Sequence, residues 1–417
     1  MAQDDDPGKI QDMKKVSILL LVCVVALVVT ALYYAWGSHL SWNDIVTFNA
    51  RPALVGRVGG GSLQSLGLKR EDLHDATAAA RVRYLQKTRY LNNARAVVTH
   101  TIDDSTDYII KCLDAMDKYG IKATAFISTQ VEPISRLWPR LNQAIANGHE
   151  IGSHSRRHQC QWPDTRLFCF RAYTDYEISG SRDDILSHTH QPYVWSWCYP
   201  CGNCASYEFV QRKLAGAGYL VARNYPGEEQ DRHNLPDLQT YDSNPYNATY
   251  TQVVQKKGGI AKSGRTDVPE LNAKFDEVYQ RGGVYNFLSH PQWLDYGEDK
   301  FYERHLAYIG KRLDIWYVPM GPLYAYRTVR EMTEVHPLEP KDGAERFVVF
   351  NDLNTKIFDN SLTLEFSASE KVSIFSHGKP VPEWNQTITD RWNSEYFRRE
   401  GERVLVTILP NTILEFR

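Results

Sequence analysis

Two adjacent carboxylates and a close pair of histidines are the residues of this chain whose types and spacing first suggest catalysis. Asp103 and Asp104 end the cluster Val97–Asp104, which begins with an apolar run that predicts a strand. Because consecutive strand residues point to opposite faces, a turn must begin here for both carboxylates to face one cavity. An Asp-rich turn or a helix N-cap is the alternative that involves no chemistry.

His154 and His158 are four residues apart, a spacing that puts both imidazoles on one side of a helical turn. Two neutral ring nitrogens suit Zn²⁺ or a similar cation, and an aspartate would complete a ligand set that leaves one position open for water. Two further clusters, Trp197–Asn203 and Tyr285–Pro291, also contain or follow predicted strands. Since α/β folds assemble their sites at the carboxyl ends of strands, we expect the four clusters to converge.

The order and spacing of these clusters resemble those of the polysaccharide deacetylases of carbohydrate esterase family 4, the NodB-homology domain. Residues 101–104 are similar to the family's T-F-D-D motif, and residues 154–158 to its H-[ST]-x-x-H motif. Residues 199–203 resemble the variant motif Y-P-Y-G-N, and residues 288–290 resemble L-x-H. The resemblance extends over about residues 94–332 and implies a distorted (β/α) barrel.

The resemblance also implies roles for the matching residues. Asp103 would be the general base and His290 the general acid. Asp104, His154 and His158 would bind a divalent metal, Zn²⁺ or Co²⁺. An amide nitrogen leaves poorly unless it is protonated, so a second catalytic group such as His290 is chemically required.

The third motif departs from the family pattern. Cys198 occupies the place of the family's usual arginine, which orients the base carboxylate. Arg223, on the next predicted strand, could supply the guanidinium instead; an ordinary salt bridge at a strand end is the alternative. Cys201 stands where the family usually has tyrosine, and its backbone N–H, after Pro200, would help to form the oxyanion hole. Ser105 replaces a customary glycine beside the base.

Aromatic residues near the motifs allow two interpretations. Trp293 and Tyr296 follow the fourth motif closely and could form a platform on which a sugar stacks. The alternative is packing, which is the commoner role of aromatic residues at a barrel rim. For Trp162, Trp195 and Trp197 we expect packing.

Six of the seven cysteines lie beyond residue 36. If that part of the chain is exported, disulfides are expected. Cys160 and Cys169 bracket an insertion after the second motif, and a disulfide that closes this loop is the leading expectation. A further disulfide is expected within or near the cysteines of residues 198–204, with Cys112 as another partner. A metal site is the weaker alternative there, because three thiols lack a fourth ligand.

Residues 16–36 are strongly apolar and carry no charge. As a helix they would extend about 32 Å, enough to cross a bilayer core of about 30 Å. Lys14 and Lys15 precede the segment and no Lys or Arg follows until Arg51, so the positive-inside rule places residues 1–15 in the cytoplasm and the bulk of the chain outside. The alternatives are a buried core helix and a cleaved signal peptide, which would give a secreted form.

The rest of the chain divides into three parts by pattern. Residues 37–92 are expected to form a juxtamembrane stalk followed by a solvent-facing helix over 67–92. Short apolar runs alternate with amphipathic stretches over 93–335, which predicts an α/β fold with a parallel sheet or barrel. Residues 336–417 are β-rich without a convincing helix and predict an all-β module, interpreted as a sandwich.

Composition and charge exclude two classes of protein. A formal net charge of −2 gives no general attraction for nucleic acid, and 42% hydrophobic content excludes a disordered chain. Together with the predicted membrane segment, the family resemblance implies a single-pass membrane enzyme that hydrolyses N-acetyl groups of an acetylated amino-sugar polysaccharide, of N-acetylglucosamine or N-acetylgalactosamine type, and releases acetate. The alternatives are a polysaccharide O-acetyl esterase and a catalytically silent glycan-binding or assembly protein.

Overall fold

The computed structural model describes residues 62–74, 80–223, 249–252, 267–368, 371–384 and 392–417, together with helical residues 20, 22–28 and 30. The first strand is β1 (Val82–Lys87). It is followed by eight strands of one curved sheet, which are β2 (Ala96–Ile102), β3 (Ala123–Ile127), β4 (Glu150–Ser153), β5 (Ser196–Cys198), β6 (Val221–Arg223), β7 (Thr249–Gln252), β8 (Val284–Ser289) and β9 (Ile315–Tyr317).

Strand β2 lies at the centre of this sheet, whose order is β6-β5-β4-β3-β2-β8-β7 with every pair parallel. Strand β8 pairs with β2 from Val97 to Ile102, while β9 and β3 share the other edge of β2. All residues of β2, β3 and β8 are buried, as expected for a parallel sheet that is covered on both faces. The described strands form a curled half-barrel with β6 and β7 at its edges, which agrees with the predicted α/β architecture.

Helices connect these strands. Apart from the single turn Ser62–Ser65, the α-helices in the described residues beyond 61 are α1 (Tyr108–Lys118), α2 (Ile134–Ala146), α3 (Arg166–Ala172), α4 (Asp175–His188), α5 (Glu208–Gly216), α6 (Asp267–Arg281), α7 (Phe301–Ile309) and α8 (Met320–Met332). In α1, Ile109, Cys112, Leu113 and Met116 recur at helical spacing and are all buried. The predicted alternation of strands and helices is therefore confirmed.

The C-terminal strands, together with β1, form two antiparallel sheets that pack against each other. They are β10 (Glu334–Lys341), β11 (Ala344–Phe350), β12 (Leu362–Ala368), β13 (Ile374–Ser376), β14 (Lys379–Pro380), β15 (Tyr396–Glu400), β16 (Arg403–Ile408) and β17 (Thr412–Phe416). The sheets have the orders β1-β12-β16-β15 and β10-β11-β17-β13-β14. The ring of Phe366, from the first sheet, lies 5.1 Å from Phe347 and 4.8 Å from Phe416 of the second, between centroids. The predicted sandwich is therefore present.

The prediction of a helix over residues 67–92 is wrong. Arg70–Asp72 form a 3₁₀ turn, and β1 pairs antiparallel with β12, so that Val82 lies opposite Ala368. The sandwich thus includes a strand from before the half-barrel, and its C-terminal part begins at Glu334 rather than at 336. The alternating charges at 67–92 resemble a solvated helix, but pairing with a strand far along the chain decides the structure of β1.

Most of the apolar segment 16–36 lies outside the described residues. In the parts of the chain that the structure describes, no helix has both the length and the apolarity to cross a bilayer. The membrane anchor stays a prediction.

The half-barrel and the sandwich share one hydrophobic core. Val97, Trp195 and Trp316 of the half-barrel belong to the same buried cluster as Phe347 and Phe366 of the sandwich. The indole Nε1 of Trp195 also donates a hydrogen bond to the carbonyl of Ile357 at 2.7 Å. The two layers are therefore expected to unfold together.

Replacement of Phe366 by alanine tests this shared core. The ring is fully buried and contacts Tyr84, Phe347 and Phe416, so its loss is expected to lower the free energy of unfolding by about 3–5 kcal/mol. Denaturant unfolding followed by fluorescence and by circular dichroism should show both signals shifting together. Leu313→Ala, at a side chain that is 92% exposed, is the control and should change stability by less than about 0.5 kcal/mol.

Candidate active site

The two adjacent aspartates lie where β2 ends. The backbone N–H of Asp103 donates to the Ser289 carbonyl at 2.9 Å, which extends the pairing of β2 with β8 by one residue. Asp104 then adopts a φ of +73°, the left-handed region that turns the chain. As the strand periodicity requires, this turn lets both carboxylates face the same side of the sheet.

Asp104, His154 and His158 converge. The Nε2 atoms of the two histidines lie 3.1 Å apart, and Asp104 Oδ1 lies 3.3 Å from His158 Nε2 and 3.9 Å from His154 Nε2. A tetrahedral ion with bonds of about 2.0–2.1 Å has ligand-to-ligand edges of about 3.3 Å. This set of two nitrogens and one oxygen therefore fits a divalent cation such as Zn²⁺ or Co²⁺.

His154 presents its Nε2 lone pair to this cluster. Its Nδ1 lies 2.9 Å from the carbonyl of Cys198, which can only accept, so the proton sits on Nδ1. Burial, with a smaller contribution from His158, lowers the pKa of His154 to about 4 against the opposing effect of Asp103 and Asp104. The imidazole is therefore neutral near pH 7 and able to bind a cation.

Asp104 is held as a carboxylate. Burial by itself would raise its pKa, but the hydrogen bond with His158 and the neighbouring imidazoles outweigh burial and lower the pKa far below its usual value. His290 Nε2 lies 3.9 Å from Asp104 Oδ2, so the proposed acid adjoins the metal cluster. Gln292 Nε2 also donates to Asp104 Oδ2, at 3.0 Å. Gln292 is not among the predicted site residues; its place in the turn Pro291–Trp293, which directly follows His290, is the signal that the sequence offers.

Asp103 is paired with Arg223. The guanidinium Nη2 donates to Asp103 Oδ1, and the two side chains are only 1% and 4% exposed. The same Nη2 lies 2.9 Å from Cys198 Sγ, and Cys198 donates to Asp103 Oδ2 at 3.7 Å. Arg223 thus reaches the proposed base from β6, and the thiol of Cys198 contacts both side chains. Of the two sequence interpretations, the geometry favours a guanidinium that orients Asp103.

The loop that carries the histidines is fixed by acidic residues of α4. Buried Glu177 accepts from the backbone N–H groups of Arg156 and Arg157, at 2.9 and 3.1 Å. Asp184 accepts from Nε and Nη2 of Arg156, at 2.8 and 2.7 Å. His158 has a φ of +53°. These carboxylates hold the loop in that conformation, and no motif in the sequence pointed to them.

The proposed oxyanion turn lies at the end of β5. Gly202 N–H donates to the Tyr199 carbonyl and Asn203 N–H to the Pro200 carbonyl, each at 2.9 Å. Cys201, which directly precedes Gly202, has a φ of +54°. Its N–H is not one of the two donors that close the turn. The turn is therefore held by its neighbours in a conformation that a non-glycine residue adopts only under such constraint.

The prediction of a disulfide between Cys160 and Cys169 is wrong. Cys160 bonds to Cys201 and Cys169 bonds to Cys204, while Cys112 and Cys198 are buried free thiols. Nine residues of separation suggested local closure. Instead both cysteines of the insertion face the turn after β5, because β4 and β5 are neighbouring strands and their carboxyl ends meet.

The aromatic residues have mixed outcomes. Trp195 and Trp197 are buried, as predicted, but Trp162 is 88% exposed, so the packing interpretation is wrong for it. Tyr296 donates from its hydroxyl to the Pro291 carbonyl at 2.9 Å and stacks on Tyr108. These contacts favour a packing role for Tyr296. The side chain of Trp293 lies outside what the structure describes.

Part of the chain matches a protein-family model. Residues 91–219 match the family model described as polysaccharide deacetylase. This part of the chain is a polysaccharide deacetylase domain. The match confirms the resemblance inferred from the motifs, includes the first three of them, and ends before Arg223 and His290.

Solved structures to which the chain is similar include three deacetylase-type proteins. A Mycobacterium smegmatis protein assigned to the polysaccharide deacetylases is 12% identical, covers 63% of this chain and 99% of its own, and has a TM-score of 0.41. A family 4 carbohydrate esterase from Streptomyces lividans, in complex with acetate, is 13% identical with coverages of 52% and 86% and a TM-score of 0.34. A Bacillus cereus polysaccharide deacetylase is 12% identical with coverages of 54% and 92% and a TM-score of 0.36. No curated protein sequence matches the chain.

A non-reducing peptide map tests the disulfide pattern. Proteolysis of the alkylated, unreduced protein should release peptides joined through Cys160–Cys201 and Cys169–Cys204. Cys112 and Cys198 should resist alkylation in the folded protein because both thiols are buried. Recovery of a peptide joined through Cys160–Cys169 would contradict the structure.

Arg223→Ala tests the buried ion pair. Removal of the guanidinium leaves the Asp103 carboxylate buried without its charged partner, which is expected to lower the free energy of unfolding by about 3–5 kcal/mol. Asp103→Asn with Arg223→Ala removes both charges and should recover part of that loss in denaturant titrations. A single-variant loss below about 1 kcal/mol would argue against the pair.

Proposed function

We propose that this protein is a metal-dependent deacetylase that hydrolyses the N-acetyl groups of an amino-sugar polysaccharide outside the cytoplasm. The observation that carries the proposal is the convergence of Asp104, His154 and His158 beside a buried, arginine-paired Asp103. A base next to a cation site is what hydrolysis of an unactivated amide requires.

Asp104, His154 and His158 would hold the cation. When bound there, it would supply Lewis-acid polarisation of the acetyl carbonyl and lower the pKa of the attacking water. The neutral state of His154 and the ionised state of Asp104 suit that ligand role.

The remaining steps belong to the side chains of the chain itself. Asp103, oriented by Arg223, accepts a proton from the water as it attacks the acetyl carbon. The Cys201 N–H donates to the carbonyl oxygen as negative charge develops on it. His290 then donates a proton to the sugar nitrogen as the C–N bond breaks, which gives acetate and a free amine.

An O-acetyl esterase acting on a polysaccharide is the second candidate. An ester oxygen leaves more readily than an amide nitrogen, so it needs less help from an acid. The position of His290, with Nε2 3.9 Å from the ligand Asp104, supports the amide reaction because it puts a proton donor beside the reacting centre.

Two features support a location outside the cytoplasm. The apolar segment 16–36, preceded by Lys14 and Lys15, would anchor the chain with the catalytic domain on the far side. The catalytic domain also contains two disulfides, which persist in oxidising compartments and are rare in the cytosol.

Metal content and acetate release test the reaction. The purified protein with added Zn²⁺ or Co²⁺ should release acetate from N-acetylglucosamine oligomers faster than from acetylated xylan, and a chelator should abolish release. Asp104→Ala and His158→Ala should lose both the metal, measured by elemental analysis, and the activity.

Asp103→Asn is the matched variant, because it changes the proposed base and leaves the three ligands in place. It should retain metal and lose about 10²–10⁴-fold in kcat. Preference for acetylated xylan would identify the esterase, whereas metal loss without any effect on acetate release would overturn the metal-dependent mechanism.

A further inference from the structure

We propose that Trp162 is a platform on which a sugar unit next to the reacting one stacks, so that the enzyme binds a chain rather than a single sugar. This inference rests on the proposed function. The indole is 88% exposed although tryptophan is among the side chains that gain most from burial. The ring is therefore accessible to a ligand.

The backbone on both sides of Trp162 is fixed to the proposed oxyanion turn. The disulfide Cys160–Cys201 precedes it, and Gln161 N–H donates to Asn203 Oδ1 at 2.9 Å. Asp164 Oδ2 then accepts from the backbone N–H of Cys204 at 2.6 Å. A side chain displayed on so constrained a loop loses little conformational freedom when it binds.

The second disulfide strengthens this attachment. Cys169 lies on the buried side of α3, the helix that follows the loop, and bonds to Cys204. The insertion is therefore joined covalently to the turn 199–204 at two points. Trp162 and the proposed oxyanion donor at Cys201 are expected to keep a fixed relation to each other.

Trp162 also lies close to the metal cluster. It is four residues beyond His158, so their Cα atoms are at most about 15 Å apart. Cys160 lies midway between His158 and Trp162 in the sequence, and its sulfur is 3.6 Å from Nδ1 of His158. A polymer with one sugar at the metal cluster therefore passes within reach of the indole one or two units along.

The surroundings of Trp162 favour a sugar over a lipid or protein surface. Its exposed apolar neighbours within the insertion are few, namely Pro163 and Leu167, and Gln161 and Arg166 lie among them. A pyranose presents an apolar C–H face and polar hydroxyl edges, which matches one indole set among polar groups.

Three variants test the platform. Trp162→Ala should raise KM for a hexameric N-acetylglucosamine oligomer about tenfold while kcat changes less than twofold, because the ring contributes to binding beside the reacting unit. Trp162→Phe, which keeps an aromatic face, should recover most of the affinity. Leu313→Ala removes an equally exposed apolar side chain from the loop between α7 and β9 and should leave KM unchanged.

Dependence on chain length separates stacking from a general effect on the site. The rise in KM of Trp162→Ala should shrink several-fold when an aryl acetate, which has no neighbouring sugar, replaces the hexamer. An equal rise for both substrates would overturn the proposal, because it would show that the substitution disturbs the catalytic turn. An unchanged KM for the hexamer would overturn it as well.

Direct binding makes the inference testable even if the proposed reaction fails. In the Asp103→Asn background, calorimetry with the hexamer should show about tenfold weaker binding after Trp162→Ala. If the unmodified enzyme releases no acetate but this difference remains, the proposed function fails and the platform stands. If Trp162→Ala instead weakens binding to phosphatidylcholine vesicles and not to the hexamer, the surface is a membrane contact and the platform is overturned.

Discussion

The buried ion pair between Asp103 and Arg223 depends on the curvature of the central sheet. Asp103 follows β2 and Arg223 ends β6, with β3, β4 and β5 between them. In a flat sheet, four strand spacings would separate these two strands by about 19 Å. Their side chains nevertheless touch, so the sheet curls until its edge strand faces its central strand across the interior. An isolated buried carboxylate would be costly, and the curl supplies its counterion.

Several residues that follow the carboxyl ends of the strands have unfavourable backbone conformations. Asp104, Ser155, His158 and Cys201 all have positive φ values, although none is glycine. Such residues persist only where their surroundings hold them. Here the surroundings are hydrogen bonds from the loop to Glu177, strand pairing beside β2 and two disulfides. Contacts within the chain itself therefore hold the loops that carry the candidate ligands.

The sandwich is part of the catalytic unit rather than an appended module. Strand β1 enters it before the half-barrel begins, and α8 leads directly from the half-barrel into β10. Trp195, directly before β5, donates a hydrogen bond across to the Ile357 carbonyl. The strand that leads to the proposed oxyanion turn is thereby supported from the sandwich side. The cluster shared by both layers explains why the sandwich packs without a linker.

The sequence by itself determined the strand–helix alternation, the β-rich C-terminal part and the residues that converge at the carboxyl edge. Each of these depends on local periodicity or on residue types at short spacing, which the chain displays directly. Only the tertiary structure decided that Arg223 pairs with Asp103 and that Cys160 bonds to Cys201. Only it revealed that β1 belongs to the sandwich. These contacts join segments that are distant in sequence, and their partners follow from the curl and strand order of the sheets, which no local pattern encodes.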